Sequence, residues 1–408
     1  MASSLVISID ELWLKGRNQK HYFKAAIDHI NAVIKNNHSD KYTQKVQSQR
    51  LYYTSETAFS EEVIKALTFI PGLAYISPCT IIDRAPGVEI ENIYQEILKE
   101  LSFLENSNKT FRATVKRNDK NYPLSSVELQ REIGHRIIEK YPLAKVELVN
   151  PELTVEMRIF ADYATISTKS FKGIGGLPWG STGHAVTLLS GGFDSPVASY
   201  LMTKRGIRQD YVFFHAYPFV GREVLTKIKG LASSLAKFQR QAHLYIVPFG
   251  DIQNLISKNC KEEYRTLFFR RYMIEIANLL AGRIGASALV TGDCVGQVSS
   301  QTLANLHLMD KASERIILRP LIGYNKMEIM HLAATIGTHD ISIIPHDDAC
   351  SLFASKNPII TPNQQYWDLQ SAEFNMAAEL NKALDNVESY SVNILGELYK
   401  KDYFSFDG

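Results

Sequence analysis

From residue 184 onward, short apolar runs alternate with amphipathic stretches, and few folds accommodate that pattern. Strands are expected at 185–189, 210–215, 243–248 and 286–291. Helices are expected near 196–205, 223–238, 262–283 and 295–306. Apolar strands separated by helices imply a parallel sheet covered on both faces. Ligands of such sheets sit beyond the carboxyl ends of the strands. The segment 172–183 holds five glycines and a proline and marks a boundary with what precedes it. Before it, a strand at 5–9, helix near 22–35, strand at 51–54, helix at 60–69 and strand at 73–76 outline a βαββαβ unit. A helix at 90–101, strand at 110–115, helix at 126–141 and strands at 145–148, 154–159 and 164–168 follow. The tail from about 364 reads as polar and helix-forming.

At 408 residues the chain has room for two to four domains. Its 45 basic and 43 acidic residues leave a net charge of +2, so a nucleic-acid partner would need a local basic patch. Lys109, Arg112, Lys116, Arg117 and Lys120, opposed only by Asp119, form such a cluster, and Lys15, Arg17 and Lys20 form a second basic group. The alternative reading of both is a solvated face. The four cysteines are scattered and include no CxxC, which argues against a zinc ribbon, a thioredoxin-type motif, a disulfide scaffold or an iron–sulfur cluster. No metal-ligand set is expected. The N-terminus lacks a signal-peptide pattern, and charges at Arg270, Arg271, Glu275 and Arg283 break up the most apolar region. A cytoplasmic protein with no membrane span is expected.

The run Leu188-Leu189-Ser190-Gly191-Gly192-Phe193-Asp194-Ser195-Pro196 carries the strongest chemical signal. A buried strand enters a Gly-Gly turn and then a helix with proline in its first turn, where proline is tolerated. Gly191 and Gly192 let backbone N–H groups approach an anion, and the helix N-terminus favours negative charge. Ser190 and Ser195 add hydroxyls, and Asp194 can hold a cation on phosphate. No GxxxxGK[ST] occurs, so this is not a Walker A loop. Arg270 and Arg271 lie in an apolar helix where an unpaired charge is expensive. One is expected to meet phosphate and the other an acid or RNA.

SGGxDS resembles the PP-loop of the ATP pyrophosphatases, which cleave between the α- and β-phosphates and adenylate a substrate oxygen. Residues 190–206, Thr291-Gly292-Asp293 with 296–302, and 319–326 narrow the resemblance to the bacterial ThiI family of tRNA 4-thiouridine synthetases. Residues 11–18 are similar to that family's N-terminal signature, and 111–168 to a THUMP RNA-binding domain. The resemblance implies a mixed α/β and α+β multidomain chain. Its parts are an N-terminal ferredoxin-like domain (1–75), a THUMP domain (76–170), a Gly-rich linker (171–183) and a PP-loop ATP pyrophosphatase domain with a parallel sheet and helical tail (184–408). It also implies ATP with Mg²⁺, tRNA as substrate, a cysteine desulfurase as sulfur donor, a homodimer as one assembly state, and a role in thiamine thiazole synthesis.

Carried over by motif, Leu188, Leu189, Phe213, Phe214, Arg270, Gly292 and Gln301 are expected to bind ATP. Phe213 and Phe214 end the second strand, where an aromatic face can cover adenine or simply fill the core. Lys326 opens a helix and, by resemblance, holds ATP or the tRNA-linked intermediate. Cys350 lies between Pro345 and Pro358 in an expected loop, where the family carries its catalytic cysteine. Adenylation of O4 at uridine 8 followed by sulfur transfer from a Cys350 persulfide is the implied reaction. With Gly408 as the last residue, the rhodanese domain of many members is not expected, so either a resolving thiol, with Cys294 the candidate, or another reductant is expected to free the sulfur from Cys350. Two rival readings remain at this stage. One is another PP-loop tRNA-modifying enzyme, with a nitrogen nucleophile following adenylation. The other is a non-catalytic tRNA-binding module.

Overall fold

A computed structural model describes residues 4–11, 16, 18–47, 49–83, 90–345, 355, 357–374 and 376–401. It divides into two compact units, residues 1–19 with 33–175 and residues 20–32 with 176–408.

The first unit carries β1 (Ser4–Ile9), α1 (Gln19–Asn37, shared between the units), β2 (Tyr42–Gln47), β3 (Arg50–Ser55), α2 (Glu61–Thr68) and β4 (Leu73–Asp83). This is the expected βαββαβ order. Strand β2 escapes sequence reading because its positions are exposed or half-buried, with no apolar alternation to mark it. Next come α3 (Ile90–Glu100), β5 (Thr110–Arg117), α4 (Ser126–Lys140), β6 (Lys145–Val146), β7 (Leu153–Ile159), β8 (Tyr163–Ser167) and β9 (Phe171–Lys172). The strands form one sheet in the order β2-β3-β1-β4-β8-β7-β5-β6, with β9 beside β4. A capping box between Ser125 and Glu128 starts α4 by satisfying N–H groups the helix cannot pair itself. Phe111, Val115, Val155 and Met157 pack with Ile93, Ile97, Leu129 and Ile133 of α3 and α4. Strand alternation therefore sends Arg112 and Lys116 to the opposite face of the sheet.

In the second unit the βα alternation holds. It comprises β10 (His184–Leu188), α5 (Asp194–Lys204), β11 (Arg208–His215), α6 (Glu223–Ala236), β12 (Gln241–Pro248), α7 (Gly250–Asn259), α8 (Arg265–Arg283), β13 (Ala288–Val290), α9 (Leu303–Lys311), β14 (Ile316–Leu318), α10 (Lys326–Ile336) and α11 (His339–Ser342). After these come α12 (Gln364–Glu373), α13 (Ala377–Asp385), β15 (Glu388–Asn393) and β16 (Leu398–Lys401). The sheet order is β14-β13-β10-β11-β12-β15-β16, parallel from β14 to β12. Val186, Val212, Phe214 and Val247 from the strands pack with Phe268, Phe269 and Leu280 of α8.

Two expectations need correction. The tail is helical only through α12 and α13, and then forms an antiparallel hairpin on β12, with Tyr390 opposite Leu244 and Val392 opposite Ala242. The alternation Ser389-Tyr390-Ser391-Val392 marks this strand, but it is short and follows two polar helices. The helix expected over 295–306 starts only at Leu303, where the Thr302 side chain accepts from Asn305 N. Gly296 at φ +73° and the β-branched Val295 and Val298 do not favour a helix there.

The glycine-rich stretch is built into the fold on both sides of the division at 175/176. Phe171–Lys172 pairs with β4, and Leu177 and Trp179 are buried. Gly176 has φ +84°, and a Cβ there would stand 2.0 Å from Lys204 O, so no side chain fits. Trp179 Nε1 donates to Gln239 Oε1 (2.9 Å), which also accepts from Gln209 N (2.8 Å). Gln209 in turn donates to Ser199 O and Thr203 Oγ1, tying α5 to β11. Gln239→Leu should therefore leave two buried N–H groups without an acceptor, at about 1–3 kcal/mol each. The expected result is a urea midpoint lowered by the equivalent of about 2–6 kcal/mol, read from Trp fluorescence and circular dichroism.

Candidate active site

The chain leaves β10 toward β11 and β12 on one side and returns to β13 and β14 on the other, so the sheet's switch point lies between β10 and β13. Loops leaving adjacent strands on opposite sides of such a point open a crevice at their carboxyl ends. The loop after β10 is 189–193, and the loop after β13 begins at Thr291. The two meet closely. A Cβ on Gly292 would stand 2.7 Å from Ser195 N and 2.8 Å from Asp194 C, so only glycine lets this loop lie against the start of α5.

Leu189 N donates to Val212 O, which seats the turn on β11. Ser195 Oγ accepts from Ser190 N at 2.8 Å and lies 3.0 Å from Ser190 Oγ, so the two hydroxyls close the turn around Gly191 and Gly192. Asp194 then opens α5 with both carboxylate oxygens engaged, Oδ1 by Lys326 Nζ and Oδ2 by Gln297 Nε2, each at 2.9 Å. The Lys326 ammonium also lies 5.2 Å from the Phe193 ring centroid. A capping box of Asn325 and Glu328 fixes the start of α10 and so aims Lys326. Lys326 keeps 43% of its side chain exposed, which leaves it able to meet an anionic ligand.

Asp293 is the buried centre of the second loop. Its carboxylate accepts from Arg270 Nη2 (2.6 Å), Arg319 Nε (3.3 Å), Thr291 Oγ1 (2.8 Å) and Gln301 Nε2 (3.4 Å). Burial alone would raise its pKa, but Arg270, Thr291 and Arg319 together outweigh burial and hold it below the ordinary carboxylate value. The structure brings Arg270, Gly292 and Gln301 together as expected, through a residue and a partner, Asp293 and Arg319, that were not singled out. Both lie inside the recognised motifs, but their pairing joins segments far apart in sequence. Arg271 pairs with Glu275 along α8 at 2.7 Å, so both helix arginines find carboxylates within the chain. Arg319 Nη2 and Gln301 Oε1 are buried without a hydrogen-bond partner, and these are atoms a bound nucleotide can satisfy.

The other candidates separate. Phe214 packs into the core with its ring 5.3 Å from Phe249, whereas Phe213 lies on the opposite face and stacks on His215. Leu188 packs partly against the same core. In the first unit Lys109, Lys116 and Lys120 are exposed. Arg112 donates to Leu148 O, and Arg117 donates to Tyr122 O and Leu124 O. The Arg117 guanidinium thus holds its own loop, apart from the Lys116 face. Lys15, Arg17 and Cys350 lie outside the described residues. Cys294 is 1% exposed, and burial with the nearby Asp194 pushes its thiol up to about 11. A buried, protonated thiol is a poor nucleophile, and this geometry counts against the resolving role expected of it. Among the described residues no cluster has metal-ligand character, and no helix is long and apolar enough to cross a membrane.

Comparison with known proteins covers nearly the whole chain. The family profile described as thiamine biosynthesis protein (ThiI) matches residues 180–376, the THUMP domain residues 88–169, and the ThiI ferredoxin-like domain residues 4–77. A protein of Finegoldia magna named "Probable tRNA sulfurtransferase" is 35% identical over 387 residues, spanning 94% of this chain and 97% of the relative. One of the same name from Brevibacillus brevis is 33% identical over 381 residues, spanning 93% and 92%. Among solved structures, a 4-thiouridine synthetase–RNA complex with bound ATP aligns with a TM-score of 0.85 and 28% identity, over 96% of this chain and all of that one. PH1313 from Pyrococcus horikoshii shares the fold at a TM-score of 0.62 and 20% identity, over 83% of this chain and all of its own.

Asp293 gives a pH-dependent test. Its pKa is depressed in the folded state, so its stabilising contribution is complete above about pH 4, the unfolded carboxyl range. That contribution is lost as pH falls through the lower folded value. Asp293→Asn is expected to lower the melting temperature at pH 7 and to flatten its decline below pH 4. Asp293→Ala should cost about 3–5 kcal/mol, because Arg270 then loses its only carboxylate and Arg319 keeps just the half-exposed Asp310.

Proposed function

The chain belongs to the ThiI family of tRNA sulfurtransferases, and from that premise we propose that it makes 4-thiouridine in tRNA at the expense of ATP. The observation that carries the reading is the convergence of the Ser190–Ser195 turn, Lys326 and the Asp293-held Arg270 at one switch point. Preorganised donors at such a point stabilise negative charge as it develops on a reacting phosphate.

In this mechanism O4 of uridine 8 attacks the α-phosphorus and pyrophosphate leaves. The N–H groups at the start of α5 and the Ser190 and Ser195 hydroxyls hold the phosphates, with Lys326 beside them. Leu188, Leu189, Phe213, Gly292 and Gln301 complete the nucleotide site, to which Phe214 contributes its main chain while its ring fills the core. Asp194 is the carboxylate at the phosphate end and, exchanging its contacts with Lys326 or Gln297, would hold a Mg²⁺ accompanying ATP, which would supply charge neutralisation.

Adenylation is required because a carbonyl oxygen is a poor leaving group. The terminal sulfur of a Cys350 persulfide then attacks C4, and AMP departs with O4. A thiol reductant attacks Cys350 Sγ in the resulting C4–S–S–Cys350 linkage. The tRNA thiolate leaves, and a mixed disulfide on Cys350 is reduced by a second thiol. The reading includes a cysteine desulfurase as sulfur donor, a cytoplasmic location and a homodimer. Thiamine thiazole synthesis, which draws on the same persulfide chemistry, is a secondary role. The sequence match to tRNA sulfurtransferases supports this route over a nitrogen nucleophile or a non-catalytic binder.

Nucleoside mass spectrometry of tRNA incubated with the protein, ATP and a desulfurase should show 4-thiouridine, and its absence under active desulfurase conditions would sink the assignment. Asp194→Ala and Lys326→Ala should slow pyrophosphate release by about 10²–10³-fold with tRNA affinity nearly unchanged. Cys350→Ala should abolish single-turnover sulfur transfer. For the proposed RNA surface of Lys15, Arg17, Lys109, Arg112, Lys116 and Lys120, with Arg117 bracing the loop beside it, Lys116→Ala should reduce the log–log salt slope of tRNA binding by about 0.7–0.9.

A further inference from the structure

Lys227 sits on α6 at 4% exposure, an unusual depth for a lysine. Its ammonium donates to Ser342 O at 2.8 Å and to Ile344 O at 2.7 Å. These carbonyls are at and just past the carboxyl end of α11, where a helical turn leaves C=O groups it cannot pair itself. The other side of α11 rests on the nucleotide turn. Ser342 Oγ donates to Gly192 O at 3.2 Å, and the His339 ring lies 5.4 Å from that of Phe193. Ser342 therefore holds the Gly-Gly turn with its side chain while Lys227 holds its main chain. Beside this junction a cavity of about 730 Å³, lined by Val220, Lys227, Ile341 and Ile344, leaves room for the segment to shift if it is released.

We infer that Lys227 and Ser342 are positioning residues that clamp the chain leading to Cys350 onto the nucleotide turn. The inference rests on the reading of Cys350 as the sulfur carrier. Cys350 is six residues past Ile344, a reach of at most about 20 Å for extended chain. Fixing the base of so short a tether limits where the persulfide can be when the adenylated uridine forms. Misplacement of a reacting group by about 1 Å can cost 10²-fold. With the persulfide out of reach, water attacks C4 of the adenylated uridine instead, expels AMP and regenerates uridine. ATP is then spent, and pyrophosphate released, without thiolation.

The measurement is 4-thiouridine formed per pyrophosphate released, with protein pre-charged by a desulfurase and cysteine. Lys227→Met removes the ammonium while keeping a long apolar chain, and should lower that ratio by about ten-fold or more with pyrophosphate release within about two-fold of wild type. Lys227→Gln retains a donor and should fall between the two. If Lys227→Met does not fold, the glutamine variant carries the same test. A general loss of structure lowers both products together and is read separately by circular dichroism of each variant. An unchanged ratio in a folded variant that still releases pyrophosphate overturns the clamp. Cys350→Ala separates the two readings, because a ratio preserved in that variant removes Cys350 as carrier and leaves the clamp without cargo.

Discussion

Two guanidinium groups, Arg270 from the middle of α8 and Arg319 just past β14, reach the carboxyl edge of the second sheet with Asp293 between them. Without that carboxylate Arg270 would be a buried cation whose desolvation costs several kcal/mol, and Arg319 would keep only its outer contact with Asp310. With it, the loop after β13 is pulled inward and Gln301 is drawn onto the same oxygen as Arg270. Gly292 then comes to lie against the start of α5. The crevice at the switch point thus has one wall set by electrostatics and the other by the Ser190–Ser195 turn. Lys326 and Asp194 bridge the walls, and α10 is capped so that its first residue faces the ligand end of α5.

The parts of this arrangement that were legible in the sequence share a physical character. The βα alternation is written in apolar runs, because a strand covered on both faces has no polar side to spare. The Ser-Gly-Gly-Phe-Asp-Ser turn was readable because glycine and serine at a strand–helix junction have a direct backbone purpose. The cost of burying Arg270 was also visible, but its partner was not. Asp293 lies 23 residues along the chain, and only the return of the chain to the far side of β10 brings the two together. Phe213 and Phe214 illustrate a different limit. Adjacent strand residues face opposite ways, so a motif naming both cannot say which one leaves the core.

Where the sequence misled, the reason was local. Strand β2 lies at a sheet edge and buries no position, so nothing in its residues requires a strand. The β15–β16 hairpin buries Tyr390 and Val392 between serines, a weak pattern after two polar helices. In the basic cluster, sequence counts charges but not their engagements. Arg117 falls on the core-facing register of β5 and spends its guanidinium on two carbonyls, while Lys116 beside it stays exposed. Equal formal charge therefore hides unequal availability.

The hairpin at the end of the second sheet has a consequence for behaviour in concentrated solution. A parallel sheet ending at β12 would present a row of unsatisfied backbone groups, a template for pairing with another copy of itself. Instead β15 covers that strand and β16 covers β15. Among the described residues the outermost strand has only four residues, ending in Lys400 and Lys401, with Lys400 3.6 Å from Glu388. A short rim carrying adjacent like charges repels its own image, so sheet growth from molecule to molecule stops there. Removal of this last strand would thus be felt first as precipitation on storage, before any loss of turnover.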